Sequence, residues 1–288
     1  MAPRPALPVS LLLLLAAACH PVTRLEAEEV AIAVGDVLAS VDEASQGGGF
    51  AALWLRRPRA FEPAWHERWR ALALGTAEAH ATCAGLPFSA CAEGRRSRTL
   101  EGCYLGWGYL EGEVSLRFDD AACGLASEGQ GVTRTADIRL RGPRAGTLRL
   151  DADGGGVRLL RRAGGFEVTV PGLRRTQVDD AGATVLDVRT TTAAPLALAG
   201  EGRAGRVLSL DGLVVEDVRG GLRWTVDAGA KLAWDAECNC ASSGVLGARA
   251  SGERSARLRL ELVGCGKGLL SVDGGKAEEV ILDRCGTL

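Results

Sequence analysis

Histidine is scarce in this chain, and so is net charge. Only three histidines occur in 288 residues, so acyl-transfer triads that rely on a histidine base have little material. His66 and His80 stand fourteen residues apart, whereas an H-E-x-x-H zinc motif needs its two histidines four apart on one helical face. His66 is followed by Glu67, but position 70 is arginine. The 34 basic and 36 acidic side chains leave a formal charge of −2, too little to gather nucleic acid or an anionic surface by field alone. Also missing are a G-x-S-x-G nucleophile elbow, a G-x-x-x-x-G-K-[ST] phosphate loop and a G-x-G-x-x-G turn between strand and helix. The longest apolar run is about ten residues, half of the roughly twenty that a membrane-crossing helix requires. These absences point away from catalysis: no enzyme activity, cofactor, metal or nucleic-acid partner is expected.

The charged residues that are present read as surface and turn chemistry. The arginine pairs at 56/57, 95/96, 161/162 and 174/175 are scattered and mostly answered by nearby acids, as on a solvated face. The doublets Asp119-Asp120 and Asp179-Asp180 put neighbouring carboxylates on opposite sides of a strand, so they suit turns better than a glycosidase cleft. Asp151-Ala152-Asp153-Gly154 faintly resembles a calcium loop, but the twelfth position is Arg162 and not glutamate, which excludes an EF-hand.

Cysteine is plentiful by contrast. Apart from Cys19 there are eight: Cys83, Cys91, Cys103, Cys123, Cys238, Cys240, Cys265 and Cys285. An even number in an exported chain argues for disulfides. They fall into two groups of four, and bridging within each group is the simplest pattern. Cys83–Cys91 would close a loop of nine residues and Cys103–Cys123 one of twenty-one. In the second, Cys238 and Cys240 each reach to Cys265 or Cys285. A four-thiolate zinc site is disfavoured, because only one close pair exists where such sites use two.

The export itself is read from residues 1–19. Arg4 and the free amine form a basic start, Val9 to Leu15 an apolar stretch, and Ala16-Ala17-Ala18 a small-residue cleavage site. A cysteine directly after those small residues resembles the lipobox of bacterial lipoproteins, with Ala16 standing where leucine is commonest. The resemblance covers the signal alone. It implies that residues 1–18 are removed, that Cys19 becomes the acylated N-terminus, and that residues 19–24 are a tether. By the same resemblance, His20 in place of aspartate implies sorting to the outer membrane of the cell envelope.

Two segments have helical periodicity. Between Leu25 and Val41, apolar residues recur at 30, 34, 37, 38 and 41, and Glu26, Glu28 and Glu29 occupy the first turn, where the helix dipole favours acids. From Pro63 to about Cys83, Trp65, Trp69, Leu72, Thr76 and Ala79 mark one face. From about Tyr104 the period becomes two. Alternation is clear at 132–140, 147–150, 166–170, 184–190, 222–227, 232–238 and 255–262, separated by the turn residues Asp153-Gly154, Asp180-Ala181-Gly182, Gly220-Gly221 and Asp273-Gly274. The expected fold is therefore mainly β. It is a large curved antiparallel sheet, open barrel or sandwich, stapled by disulfides, with two N-terminal helices covering one face. Residues 25–100 form the helical segment and 101–288 the β domain. The arrangement is similar in architecture to the unclosed barrels of periplasmic lipoprotein carriers.

Tyr104 to Phe118 is the stretch to probe for binding. Leu105, Trp107 and Tyr109 share one face with glycines on the other, and beyond Tyr109 the pattern inverts. Either the strand bulges and places Trp107 and Tyr109 in the core, which is the expectation, or the aromatics form a platform for lipid, glycan or a protein partner. The leading function is a membrane-anchored envelope lipoprotein with a non-enzymatic binding or structural role. A lipid or lipoprotein carrier would require an apolar cavity beneath the helices, and an envelope-polymer hydrolase two carboxylates converging in a cleft.

Overall fold

The computed structural model describes residues 22–46, 87–104, 109–141, 146–200, 202, 204–238, 241–252, 254–265 and 267–281, with the backbone alone at 24, 25, 46, 102–104 and 281. The expected second helix at 63–83 lies outside these residues, as do Cys19, Cys83, Trp107, Cys240 and Cys285.

The first described element is α1 (Arg24–Gln46). It starts on a capping box: Thr23 Oγ1 accepts the Glu26 amide at 3.3 Å, while the Glu26 carboxylate accepts the Thr23 amide at 2.6 Å. The helix runs five residues beyond the expected Val41. Asp42 and Glu43, in this added stretch, are both buried. At 23 residues it is about 34 Å long. Ala27, Val30, Val34, Val37 and Val41 are all but inaccessible, and none of the described side chains of α1 is exposed, so the helix is enclosed although it carries six acids.

Among the described residues fifteen strands build one antiparallel sheet. In chain order they are β1 (Arg95–Tyr104), β2 (Tyr109–Phe118), β3 (Gly131–Arg141), β4 (Thr147–Arg162), β5 (Gly165–Val178), β6 (Thr184–Thr192), β7 (Leu196–Ala199), β8 (Val207–Ser209), β9 (Leu213–Asp217), β10 (Leu222–Val226), β11 (Lys231–Trp234), β12 (Ala241–Ser251), β13 (Ala256–Gly264), β14 (Lys267–Val272) and β15 (Glu278–Ile281). Strands β1 to β6 follow as a meander. The sheet then divides. Residues 173–178 of β5 pair with β6, while residues 165–168 pair with β7. The path β6–β9–β10 and the path β7–β8–β11 rejoin on β12, from which β13, β14 and β15 continue.

Helix α1 packs against β3, β4, β6 and β14. These come from well-separated parts of the sheet, so the sheet curls around the helix. One hydrophobic core contains residues of α1 and of both arms of the sheet. Period-two alternation decides which side chains enter it: in β13, Ala256, Leu258, Leu260 and Leu262 are buried while Arg257 and Arg259 are exposed.

Several expectations are corrected. The strand region opens at Arg95, inside the stretch expected to be helical, because inward-facing Arg98 disguises the alternation there. Asp153-Gly154 is not a turn between strands but part of β4. Gly154, Gly155 and Gly156 have φ of 85°, 140° and 74°, and the register with β5 shifts across them, which makes the segment a bulge. Cys91 pairs with Cys123, and not with Cys83. The Gly94 amide donates to the Ala121 carbonyl at 2.8 Å, bringing the start of β1 to the β2–β3 loop. Cys103 lies at the far end of the ten-residue β1, about 26 Å along the strand, well beyond bridging range. Cys238 pairs with Cys265, as the second group allowed. Both bridges stay within their groups.

Candidate functional site

The distinguishing feature of the interior is a row of guanidinium–carboxylate pairs between α1 and the sheet. Arg254, in the β12–β13 turn, grips Glu26 with both terminal nitrogens, Nη1 at 3.2 Å. Arg175 of β5 donates from Nη2 to Asp36 at 2.6 Å. Arg206, just before β8, faces Asp42 at 3.4 Å and donates to Ser45 Oγ at 3.1 Å. Glu43 receives Arg98 of β1 on one oxygen and Arg134 of β3 on the other, the latter at 2.7 Å. Arg98 also lies over the Phe88 ring, 4.5 Å from its centroid. The Glu43, Arg98 and Arg134 side chains are at most 1 % exposed.

Burial pushes Arg98 down to about 10, and the adjacent Arg134 charge adds to the shift. Burial likewise pushes Arg134 down to about 10, partly opposed by Asp36. Both guanidiniums stay charged at neutral pH. At the helix start, partial burial would raise Glu26, but hydrogen bonds from Arg254 and Thr23 outweigh it and leave Glu26 below the usual carboxylate range. Carboxylate oxygens held by guanidinium donors are not open to a substrate. What this array can do is fix the depth and rotation of α1 inside the sheet.

Reading strand registers around the sheet sorts its loops into two ends. Tyr109 is paired with Arg141, Arg141 with Thr147, Thr147 with Val178, and Val178 with Thr184. The β9–β10, β12–β13 and β14–β15 turns are at this same end, and the N-terminus of α1 opens here beside Arg254. The C-terminus of α1, both disulfides and the β2–β3 and β7–β8 loops are at the other end.

A cleft of about 450 Å³ lies at the N-terminal mouth, with Glu26, Glu29, Asp217 and Arg219 at its polar edge and Val188 and Trp224 at its apolar floor. Asp217 is already used as a turn cap, accepting the amides of Arg219 and Gly220 at 3.0 and 2.9 Å. A second cleft, about 580 Å³, lies between the β12–β13 and β14–β15 turns. There Asp273 accepts the Arg257 amide at 2.7 Å.

Of the residues singled out from the sequence, Cys19 and Trp107 lie outside the described residues. Tyr109 opens β2 and is 56 % exposed, so its ring is not in the core as expected. The inversion after it is real, since Leu110, Val114 and Leu116 are buried. Asp120 and Asp179 cap turns, as doublet chemistry suggests. Asp153 is bound to Arg189 at 2.8 Å, and Asp151 lies 3.6 Å from Arg149. Among the described residues no three His, Cys, Asp or Glu side chains converge as a metal site would need. The reading of 174/175 as a solvated pair fails for Arg175: Arg174 meets Asp187 on the outer face at 2.8 Å, whereas Arg175 turns inward to Asp36.

The buried array escaped the sequence reading because an inward arginine looks like the polar half of an alternating strand. One local signal was available. Thr23-Arg24-Leu25-Glu26 is a capping box, which fixes the start of α1 and hence the phase of every acid on it. Among the described residues no helix is long and apolar enough to cross a membrane. Comparison with known proteins returns no matching family, no matching curated protein and no matching solved structure.

Proposed function

We propose that this chain is a lipid-anchored protein of the bacterial cell envelope, held at the outer membrane through Cys19, whose β domain has a non-enzymatic binding or structural role. The observation that carries this reading is the position of α1. Thr23, four residues after the lipobox cysteine, caps a helix locked within the sheet by the Glu26, Asp36, Asp42 and Glu43 pairs. An acyl group on Cys19 would therefore hold the sheet itself at the membrane, not a domain on a long leash. Two formed disulfides support an oxidising compartment. The concave face is occupied, where described, by α1, and Glu26, Asp36, Asp42 and Glu43 on it are paired with arginines of the sheet. That favours a rigid scaffold over a carrier or a hydrolase.

The test is acyl labelling and fractionation. The wild-type chain should incorporate labelled palmitate and sediment with membranes, and Cys19→Ser should do neither. Labelling that survives in Cys19→Ser would overturn the reading.

A further inference from the structure

We infer that the end of the sheet at which α1 begins is a membrane-contacting surface, resting on the phospholipid headgroup layer. The inference rests on the lipid-anchor reading and adds to it an orientation and a contact surface.

Reach is the first argument. Three residue steps separate Cys19 from Val22, the first described residue, which is buried. Fully extended they cover at most about 11 Å. Helix α1 cannot swing out to lengthen the tether, because its side chains are enclosed along its length and paired at both ends. The acylated residue must then lie within about 11 Å of Val22 at the N-terminal mouth.

Surface chemistry is the second, independent argument. Five large hydrophobic residues are exposed among the described residues: Tyr109, Val185, Val218, Val263 and Leu269. Three of them, at 56, 45 and 50 % exposure, belong to the N-terminal end. Tyr109 opens β2, Val185 follows the β5–β6 turn and Val218 follows β9. Arg219 and Lys276 are exposed in turns of the same end, where a cation can meet lipid phosphate. A tyrosine ring with valines and flanking cations is the composition that settles at a membrane–water boundary. The opposite end carries both disulfide-stapled loop regions and points away from the bilayer, free for a partner.

The experiment uses the full acylated chain in phosphatidylethanolamine–phosphatidylglycerol vesicles containing a phospholipid with a photoreactive diazirine headgroup. After irradiation, crosslinked peptides should be those containing Tyr109, Val185 and Val218, with peptides from 124–130 and 204–206 at background. The Val185→Asp/Val218→Asp variant should still float with the vesicles and keep both disulfides, but lose the crosslinks at its two altered turns. Crosslinks at both ends of the sheet, at the disulfide end alone, or at residues 19–24 alone would overturn the contact surface while leaving the anchor intact. A wild-type chain that proves to carry no acyl group and does not float with the vesicles would overturn both.

Discussion

Asp36 and Arg175 stand 139 residues apart in the chain and meet inside the sheet at 2.6 Å, each side chain only 6 % exposed. Enclosing two charges costs several kcal/mol apiece in lost hydration, and a well-made pair roughly recovers that cost. The pair therefore adds little net stability over an apolar contact of equal volume. Its effect is on alternatives: a shift of α1 by one turn, or a rotation that points Asp36 elsewhere, would leave both charges enclosed without a partner.

Removing one member should reveal this asymmetry. Asp36→Ala leaves the Arg175 guanidinium buried and should cost about 3–5 kcal/mol. Asp36→Leu combined with Arg175→Met should restore most of that loss. Urea unfolding with intact disulfides measures both, and a single variant costing less than about 1 kcal/mol, as exposed pairs do, would refute a buried role.

How much of this was legible in the sequence depends on which face a residue occupies. The outward charges and inward leucines of β13 read directly, because alternation there is uninterrupted. The helix start was readable too, from Glu26, Glu28 and Glu29. What misled was any polar residue facing inward: Arg98 hid the beginning of β1, and Arg175 passed for surface. Each is buried only because a partner distant in sequence arrives, and periodicity carries no record of that partner. The split of the sheet between β5 and β12 is hidden for the same reason, since pairing order is a long-range property.

Acid should loosen the protein in a defined direction. Glu26 is lowered by the balance already described, and Asp137 is lowered chiefly by its hydrogen bond to Arg149, against the opposing effect of burial. Asp119 is lowered in the same way by Arg158. A folded-state value below the unfolded one means the stabilisation is present above the unfolded carboxylate range of about 4 and disappears as pH falls through the lowered values. Urea midpoints measured from pH 7 to 3 should fall below about pH 4. Glu26→Gln should flatten that fall more than Asp137→Asn, because the Asp137–Arg149 pair is 42–49 % exposed and solvent screens it. An equal effect of the two variants would contradict this ordering.

The bulge in β4 makes a separate prediction at Gly156. Its φ is +74°, and a Cβ there would sit 2.1 Å from the Arg134 carbonyl oxygen. Gly182 has a similar φ of +83° but nothing within 4 Å of a built Cβ. Gly182→Ala should therefore cost only the left-handed strain of roughly 1–2 kcal/mol. Gly156→Ala should cost more, and should also disturb the Arg134–Glu43 contact by displacing the backbone that carries Arg134. Thermal unfolding of the two variants gives the comparison, and equal losses would mean that β4 adapts without moving β3.

Disulfide mapping gives the last test, because the bridges now have assigned partners. Cys91–Cys123 and Cys238–Cys265 span separations of 32 and 27 residues, for which unfolded-chain entropy predicts about 3.5–4 kcal/mol of stabilisation each. Proteolysis without reduction should release a peptide pair joining Cys91 to Cys123, and no pair joining Cys83 to Cys91. The Cys91→Ser/Cys123→Ser and Cys238→Ser/Cys265→Ser variants should each lose stability of this order and still fold. The row of ion pairs and the apolar core that hold α1 do not depend on either bridge. If either pair of substitutions instead released α1, detected as new protease cleavage between Val30 and Val41, the staples would be holding the sheet closed around the helix. The internal pairs would then be a consequence of that closure and not its cause.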